Sequence, residues 1–369
     1  MDVALVESPV QLLNVLEWAH TRTSGLLDRI PSQPTGSAGR VDGRRASDAG
    51  SVSGGGAATP RGITVVVLSP TDPMSRGQLR RMAELARDEG FTVHWQEARG
   101  GAAVTLRTVR ELVPLLRGAQ RVVVGDPFSR YVQLLLALVG TKELTVVDDG
   151  TATLQYVAQV ARGERLVRWH SRRRMSVREL VLAPVSAAAR RRLSPSAAHE
   201  VEVFSSMPVD PPDGIRTRPN TYAWTRDRFG PPRLTRGADL VGTSLVETGV
   251  VDPEQYERAV ASLAARHGAT RYFAHRREST EKLRRLAART GMEIMRPDLP
   301  LELIARRGPI GRTVLTFPST VLHTLPLALA GTEVTIMACD IAPEWLSDTA
   351  SPRAQGFLAA VTGTARGRR

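Results

Sequence analysis

The feature that most restricts this chain is a repeated change of period along its first half. Short apolar runs give way to longer stretches whose apolar residues recur at helical spacing. Residues 3–6 form the first run, a candidate buried strand. Ser8-Pro9 follows, an N-cap with proline at the first helical position, and residues 10–19 read as a helix. Ile63–Leu68 reads as a second strand, and Asp72-Pro73 caps a helix whose Leu79, Met82 and Leu85 share one face. The pattern continues with strands at 91–95, 121–125 and 144–147 and helices at 104–116 and 128–138, and it reaches Asp148-Asp149-Gly150 at the fifth strand's end. Strands separated by helices predict a parallel, doubly wound α/β sheet.

Three segments interrupt this order. Residues 31–62 are rich in Gly, Ser, Ala, Pro and Arg and lack large apolar groups, which predicts a disordered insertion. Closure entropy grows slowly with loop length, so the fold tolerates it. Residues 162–193 carry Arg162, Arg165, Arg168, Arg172, Arg173, Arg174, Arg178, Arg190, Arg191 and Arg192 against Glu164 and Glu179. The spacing of Arg165, Arg168 and Arg172 favours a solvated helix face, with attraction to an anionic acceptor or an anionic membrane face as the alternative. Residues 206–237 are proline-rich and read as a linker. Alternation then resumes, with strands at 240–241, 272–273, 292–295, 313–316 and 333–338 and helices at 253–266, 280–290 and after Pro318. The expected domains are therefore 1–205 and 238–369, both Rossmann-like.

Composition removes several classes. The 369 residues are 42% hydrophobic, enough for two cores, and contain one cysteine, Cys339, so neither a disulfide scaffold nor a cysteine zinc site is available. No positive stretch precedes an apolar run at the amino terminus, and the densest apolar run, 131–140, is too short to span a bilayer. The expected location is cytoplasmic, with peripheral contact to the inner membrane face left open. A net charge of +13 implies an anionic partner without choosing one. Aromatic residues are few, at 5%, and no recognition helix is evident, so nucleic acid is not expected.

Three motifs could carry chemistry. Asp148-Asp149-Gly150 places two carboxylates just beyond a buried strand, where open α/β sheets keep reacting groups; it also reads as a plain turn with a helix cap. Mutual repulsion raises one pKa of such a pair and suits a general base. His275 leaves a strand end and is followed by Arg276 and Arg277, an imidazole beside guanidiniums that could hold phosphate, or a surface histidine in a basic turn. Ser319 and Thr320 follow a strand and open an apolar helix, which makes either an anion site or an N-cap alone. His323, further along that helix, reads as packing. No phosphate-binding P-loop, glycine-rich dinucleotide fingerprint, metalloprotease helix or nucleophile elbow is present.

The order of these motifs over two α/β halves resembles the bacterial sialyltransferases and polysialyltransferases of the GT-B type. Their acidic-acidic-Gly, His-Pro and Ser-Ser/Thr motifs correspond here to Asp148-Asp149-Gly150, His275 and Ser319-Thr320. Residues 8–14 (SPVQLLN), Gly125-Asp126 and residues 299–303 (LPLEL) resemble flanking family segments. The chain departs at Arg276, where the family has proline. The resemblance implies two Rossmann-like domains facing each other across a cleft, the first on the acceptor side and the second binding the nucleotide, and an inverting, metal-independent transfer. A CMP-activated acidic sugar is the donor substrate and a glycan hydroxyl the acceptor, with no cofactor. It makes Asp148 the base, with Asp149 and Gly150 in support. His275 and Arg276 face the leaving phosphate with Ser319 and Thr320, and Glu302 holds the ribose. The competing expectations are a GT-B transferase using a UDP- or GDP-sugar and a non-catalytic protein that binds anionic polymers.

Overall fold

The computed structural model describes residues 1–27, 62–168, 183–196 and 199–347. The expected insertion falls outside them apart from Gly62, as do residues 169–182 of the Arg-rich segment. The first sheet contains β1 (Asp2–Val6), β2 (Ile63–Leu68), β3 (Thr92–Gln96), β4 (Arg121–Val124), β5 (Glu143–Val147), β6 (Glu200–Ser205) and β7 (Ile215–Pro219), in the order β3-β2-β1-β4-β5-β6-β7. The second contains β8 (Leu234–Val241), β9 (Ala269–Phe273), β10 (Glu293–Met295), β11 (Ile310–Thr316) and β12 (Thr335–Ala338), in the order β10-β9-β8-β11-β12. All neighbours within both sheets are parallel. Each sheet thus begins with the Rossmann order and reverses direction beside its first strand. The fold is the expected one, two Rossmann-like domains facing each other across a cleft.

Side-chain alternation explains why the central strands of the first sheet are almost wholly apolar. Val3 and Leu5 of β1 join one core with Val122 and Val124, packed under α3 (Ala102–Arg117), α4 (Arg130–Leu138) and α5 (Thr151–Ala161). Ala4 and Val6 point to the other face and join Leu12, Leu13 and Leu16 of α1 (Pro9–Leu27) and Leu79 and Met82 of α2 (Pro73–Asp88). A strand covered on both faces must be apolar at every position. The second core also takes in Leu299, Leu303 and Ala328 from the far domain, so an apolar seam joins the halves behind the cleft.

The proline-rich stretch differs from the expected linker. It holds β7, a helix at Ala223–Phe229 and the start of β8, so the first domain runs past residue 205 and the crossing lies near Gly230–Arg233. β7 is an edge strand, where a missing N–H at its last residue, Pro219, leaves the ladder intact. The Arg-rich segment also differs: residues 162–168 are not helical, while Ala183–Leu193 is a helix that ends in Arg190, Arg191 and Arg192. No helix among the described residues is long and apolar enough to cross a membrane.

In the second domain a buried carboxylate fixes the strand register. Asp239 on β8 accepts from Arg271 Nε at 2.9 Å and Nη2 at 2.6 Å, and from the Gly311 amide at 2.6 Å, at a register shift between β8 and β11. Its side chain is 1% exposed. Asp239→Ala strands the guanidinium in the interior and should cost about 3–5 kcal/mol, read as a lowered denaturation midpoint in urea.

Candidate active site

The two sheets point their carboxyl ends at one another, and the loops there meet. Gly150 follows β5 with φ +65°, a left-handed conformation that favours glycine. A Cβ on it would lie 2.9 Å from the Thr320 Cγ2 in the opposite domain. Nearby, Gln78 on α2 donates to the Pro297 carbonyl at 2.7 Å, and Arg81 pairs with Asp298. The acidic motif and the Ser/Thr motif, far apart in sequence, are therefore in direct apposition.

The two aspartates have different surroundings. Asp148 is 2% exposed. Its Oδ2 accepts from the Ser206 amide at 3.1 Å and from the Ser206 hydroxyl at 2.9 Å, and its Oδ1 accepts from the Gly150 amide at 3.1 Å. Asn14 Nδ2 donates to its carbonyl at 2.8 Å. The carboxylate expected to act as the base is thus turned into the loop, and it holds that loop to β6 and α1. Asp149 keeps a side chain 21% exposed. Burial, with the Asp126 charge beside it, pushes its pKa up to about 7, against the pull of Arg168, Gln11 and Arg276. It has the accessibility and basicity of a proton acceptor near neutral pH.

His275 sits on the turn after β9. Its Nδ1 accepts from the Arg277 amide at 3.2 Å, so Nε2 carries the proton. Burial, followed by Arg276, Arg277 and Lys282, lowers its pKa to about 4. At neutral pH it is an uncharged Nε2–H donor. A buried network fixes the turn: the His275 amide donates to Glu278 Oε2 at 2.6 Å, while Glu278 Oε1 takes the Tyr272 hydroxyl at 2.6 Å and Lys282 Nζ at 2.7 Å. Glu278 and Lys282 have side chains 0% and 2% exposed.

Ser319 and Thr320 are half-buried just before the helix Val321–Ala328. Neither hydroxyl hydrogen-bonds within the described residues, and Thr320 makes no side-chain cap. The Leu322, His323 and Thr324 amides are taken by the Ser319 and Thr320 carbonyls, so the amides ahead of them are the donors left at this helix end. Glu302 lies deeper, accepting from Thr324 Oγ1 of that helix at 2.5 Å, and burial raises its pKa. His323 is buried.

Sequence reasoning left Arg168 on a solvated face, but it pairs with Asp126 at 2.5 Å and reaches Asp149 at 3.9 Å. Gln11 also lies at the site: a Cβ on Gly125 would lie 2.5 Å from its side chain, its Oε1 accepts from the Glu7 amide at 2.7 Å, and it helps lower the Asp149 pKa. Polar Gln11 and Asn14, three residues apart in the otherwise apolar first half of α1, were the available signal. No group of three or more His, Cys, Asp or Glu side chains among the described residues is placed to hold a metal ion.

No family model matches the chain, and no curated protein does. Solved structures resemble it weakly. An α/β-galactoside α-2,3-sialyltransferase from Photobacterium phosphoreum is 9% identical, with a TM-score of 0.49 over 98% of this chain and 95% of that one. The GT-B domain of a sialyltransferase from Photobacterium damselae is 10% identical, at 0.44 over 99% and 97%. The E. coli heptosyltransferase WaaC is 13% identical, at 0.42 over 98% and 100%.

The two aspartates should respond differently to the same change. Asp148→Asn replaces part of an acceptor set with a donor and should destabilise the protein by about 1–3 kcal/mol, whereas Asp149→Asn should leave the melting temperature within a few degrees or raise it. Differential scanning calorimetry of both variants checks this.

Proposed function

We propose that the chain is an inverting glycosyltransferase that moves sialic acid, or a related nonulosonic acid, from a CMP-sugar to a hydroxyl of a glycan. The observation that carries this reading is the approach of the Asp148-Asp149-Gly150 loop to Thr320 of the opposite domain, with Arg276, the residue after His275, near enough to act on the Asp149 charge. In this reading a base on one domain faces the uncommitted hydroxyls of Ser319 and Thr320 on the other.

In the proposed step the acceptor hydroxyl oxygen attacks the anomeric carbon and its proton passes to Asp149. The new C–O bond forms on the face opposite the phosphate, so configuration inverts. The bond from that carbon to the phosphate oxygen breaks, and CMP leaves with the electron pair. The growing negative charge meets the hydroxyls of Ser319 and Thr320, the free amides of the helix start and the His275 Nε2–H. His275 acts here as a hydrogen-bond donor, because its depressed basicity keeps it uncharged in the free protein. Glu302, beside the same helix, is assigned the ribose hydroxyls of the donor. Asp148 keeps the base on station from within the loop. These groups compensate the phosphate charge without calling on a metal.

A melting-shift panel of CMP, UDP and GDP separates the donors, since a nucleotide that binds the native state raises the transition. A shift by CMP alone is expected; a UDP or GDP shift without one would replace the CMP assignment with another nucleotide sugar. Asp149→Asn should lower transfer by about 10²–10⁴-fold, the usual contribution of a general base, while the CMP shift stays. Wild-type kcat/KM should rise with pH through about 7, because Asp149 works only when ionised and its pKa lies there. A profile flat from pH 6 to 8 would remove Asp149 from the proton transfer.

A further inference from the structure

The chemistry of the proposed donor makes a demand that the phosphate site and the base do not meet. A nonulosonic acid carries its carboxylate on the same carbon that the phosphate leaves and the acceptor attacks. Any site that grips the phosphate on one wall and deprotonates the acceptor at the other must hold this second anion between them. Away from bulk water a carboxylate needs charge-assisted donors, and a guanidinium suits its geometry best.

Two guanidiniums act on the Asp149 carboxylate, those of Arg168 and Arg276. Arg168 is committed, bonded to Asp126 at 2.5 Å within the first domain. Arg276 comes from the opposite wall. It is exposed and makes no hydrogen bond, nor any ion pair within 4.0 Å, among the described residues. It feels Asp149 and, on the α2 cap, Asp72 from a longer distance. It is also the residue after His275, on the turn held by the buried Glu278. β9 and β11 end level with one another on either side of β8, so Arg276 and Ser319 leave the same carboxyl edge of the second sheet, and this uncommitted cation acts on the Asp149 charge of the first domain.

We propose, building on the donor reading above, that Arg276 binds the carboxylate of the acidic sugar rather than the phosphate, and so selects acidic sugars over neutral ones. The phosphate has its own donors at Ser319, Thr320 and the helix start. Arg276 is free to read the one feature that separates a nonulosonic acid from an ordinary hexose at the reacting carbon. Its attraction to Asp149 in the empty cleft would be exchanged for the incoming carboxylate, which also raises the basicity of Asp149 when the donor is seated.

Isothermal titration without acceptor, on wild type, Arg276→Met and Arg276→Lys, tests this with two probes, CMP and CMP-N-acetylneuraminic acid. In the methionine variant the Kd for CMP should stay within about twofold, while the Kd for the CMP-sugar should rise about 10–100-fold, the worth of a charged hydrogen bond. Lysine keeps the charge without the fork and should fall between. Equal weakening of both probes would overturn the proposal in favour of a phosphate contact. Unchanged binding of both would remove Arg276 from the site. Wild type that binds neither CMP nor the CMP-sugar would refute the donor reading itself, and the carboxylate assignment with it. Melting temperatures of both variants, expected to match wild type because Arg276 is exposed and unpaired, separate these outcomes from misfolding.

Discussion

The contact between Gly150 and Thr320 sets the scale of the cleft. Only a residue without a side chain can sit there, both for its left-handed backbone and because the Thr320 methyl group lies where a Cβ would be. Because of that contact, the acidic loop and the start of the Ser/Thr helix face each other over a gap bounded by Asp149, His275 and Arg276. The apolar seam of Leu299, Leu303 and Ala328 against the first domain supports the same geometry from behind. The gap is therefore held by packing at its back and by one close backbone approach within it.

Two adjacent carboxylates in this loop have been given opposite tasks by their hydrogen bonds. Asp148 has three donors and little contact with water, so it works as an internal fastener between β5, β6 and α1. Asp149 has fewer donors and an acidic neighbour in Asp126. The same desolvation acts on both, but only Asp149 keeps an exposed face through which a proton can arrive.

The fold was legible in the sequence because strands covered on both faces must be apolar along their whole length, and proline and aspartate caps mark the helices between them. Ile63–Leu68 and the Asp72-Pro73 start are of this kind. The strands at 200–205 and 215–219 were not read, since the first carries Glu200 and Glu202 and the second alternates arginines at a sheet edge. In the site, the residue types and their order could be read, but which aspartate faces the cleft could not. That depends on Ser206, which lies 58 residues away and reaches Asp148 only because β6 pairs beside β5. Arg168 was misjudged for a related reason: helical spacing says nothing once a segment is not a helix.

Arg276 also shows how a turn can be stiffened without proline. A proline placed after a histidine would fix one backbone angle covalently. Here the same turn is fixed from the side, by a glutamate that accepts the His275 amide and is itself clamped by Lys282 and Tyr272. The two solutions differ in what they leave for the next residue. A proline ring offers no charge and no donor, whereas a network anchored at positions 278 and 282 leaves position 276 open to any side chain. With rigidity supplied from beneath, a guanidinium can be carried into the cleft on a support firm enough to read an anion. The buried Glu278–Lys282 pair, costly to desolvate on its own account, then has a reason to be retained.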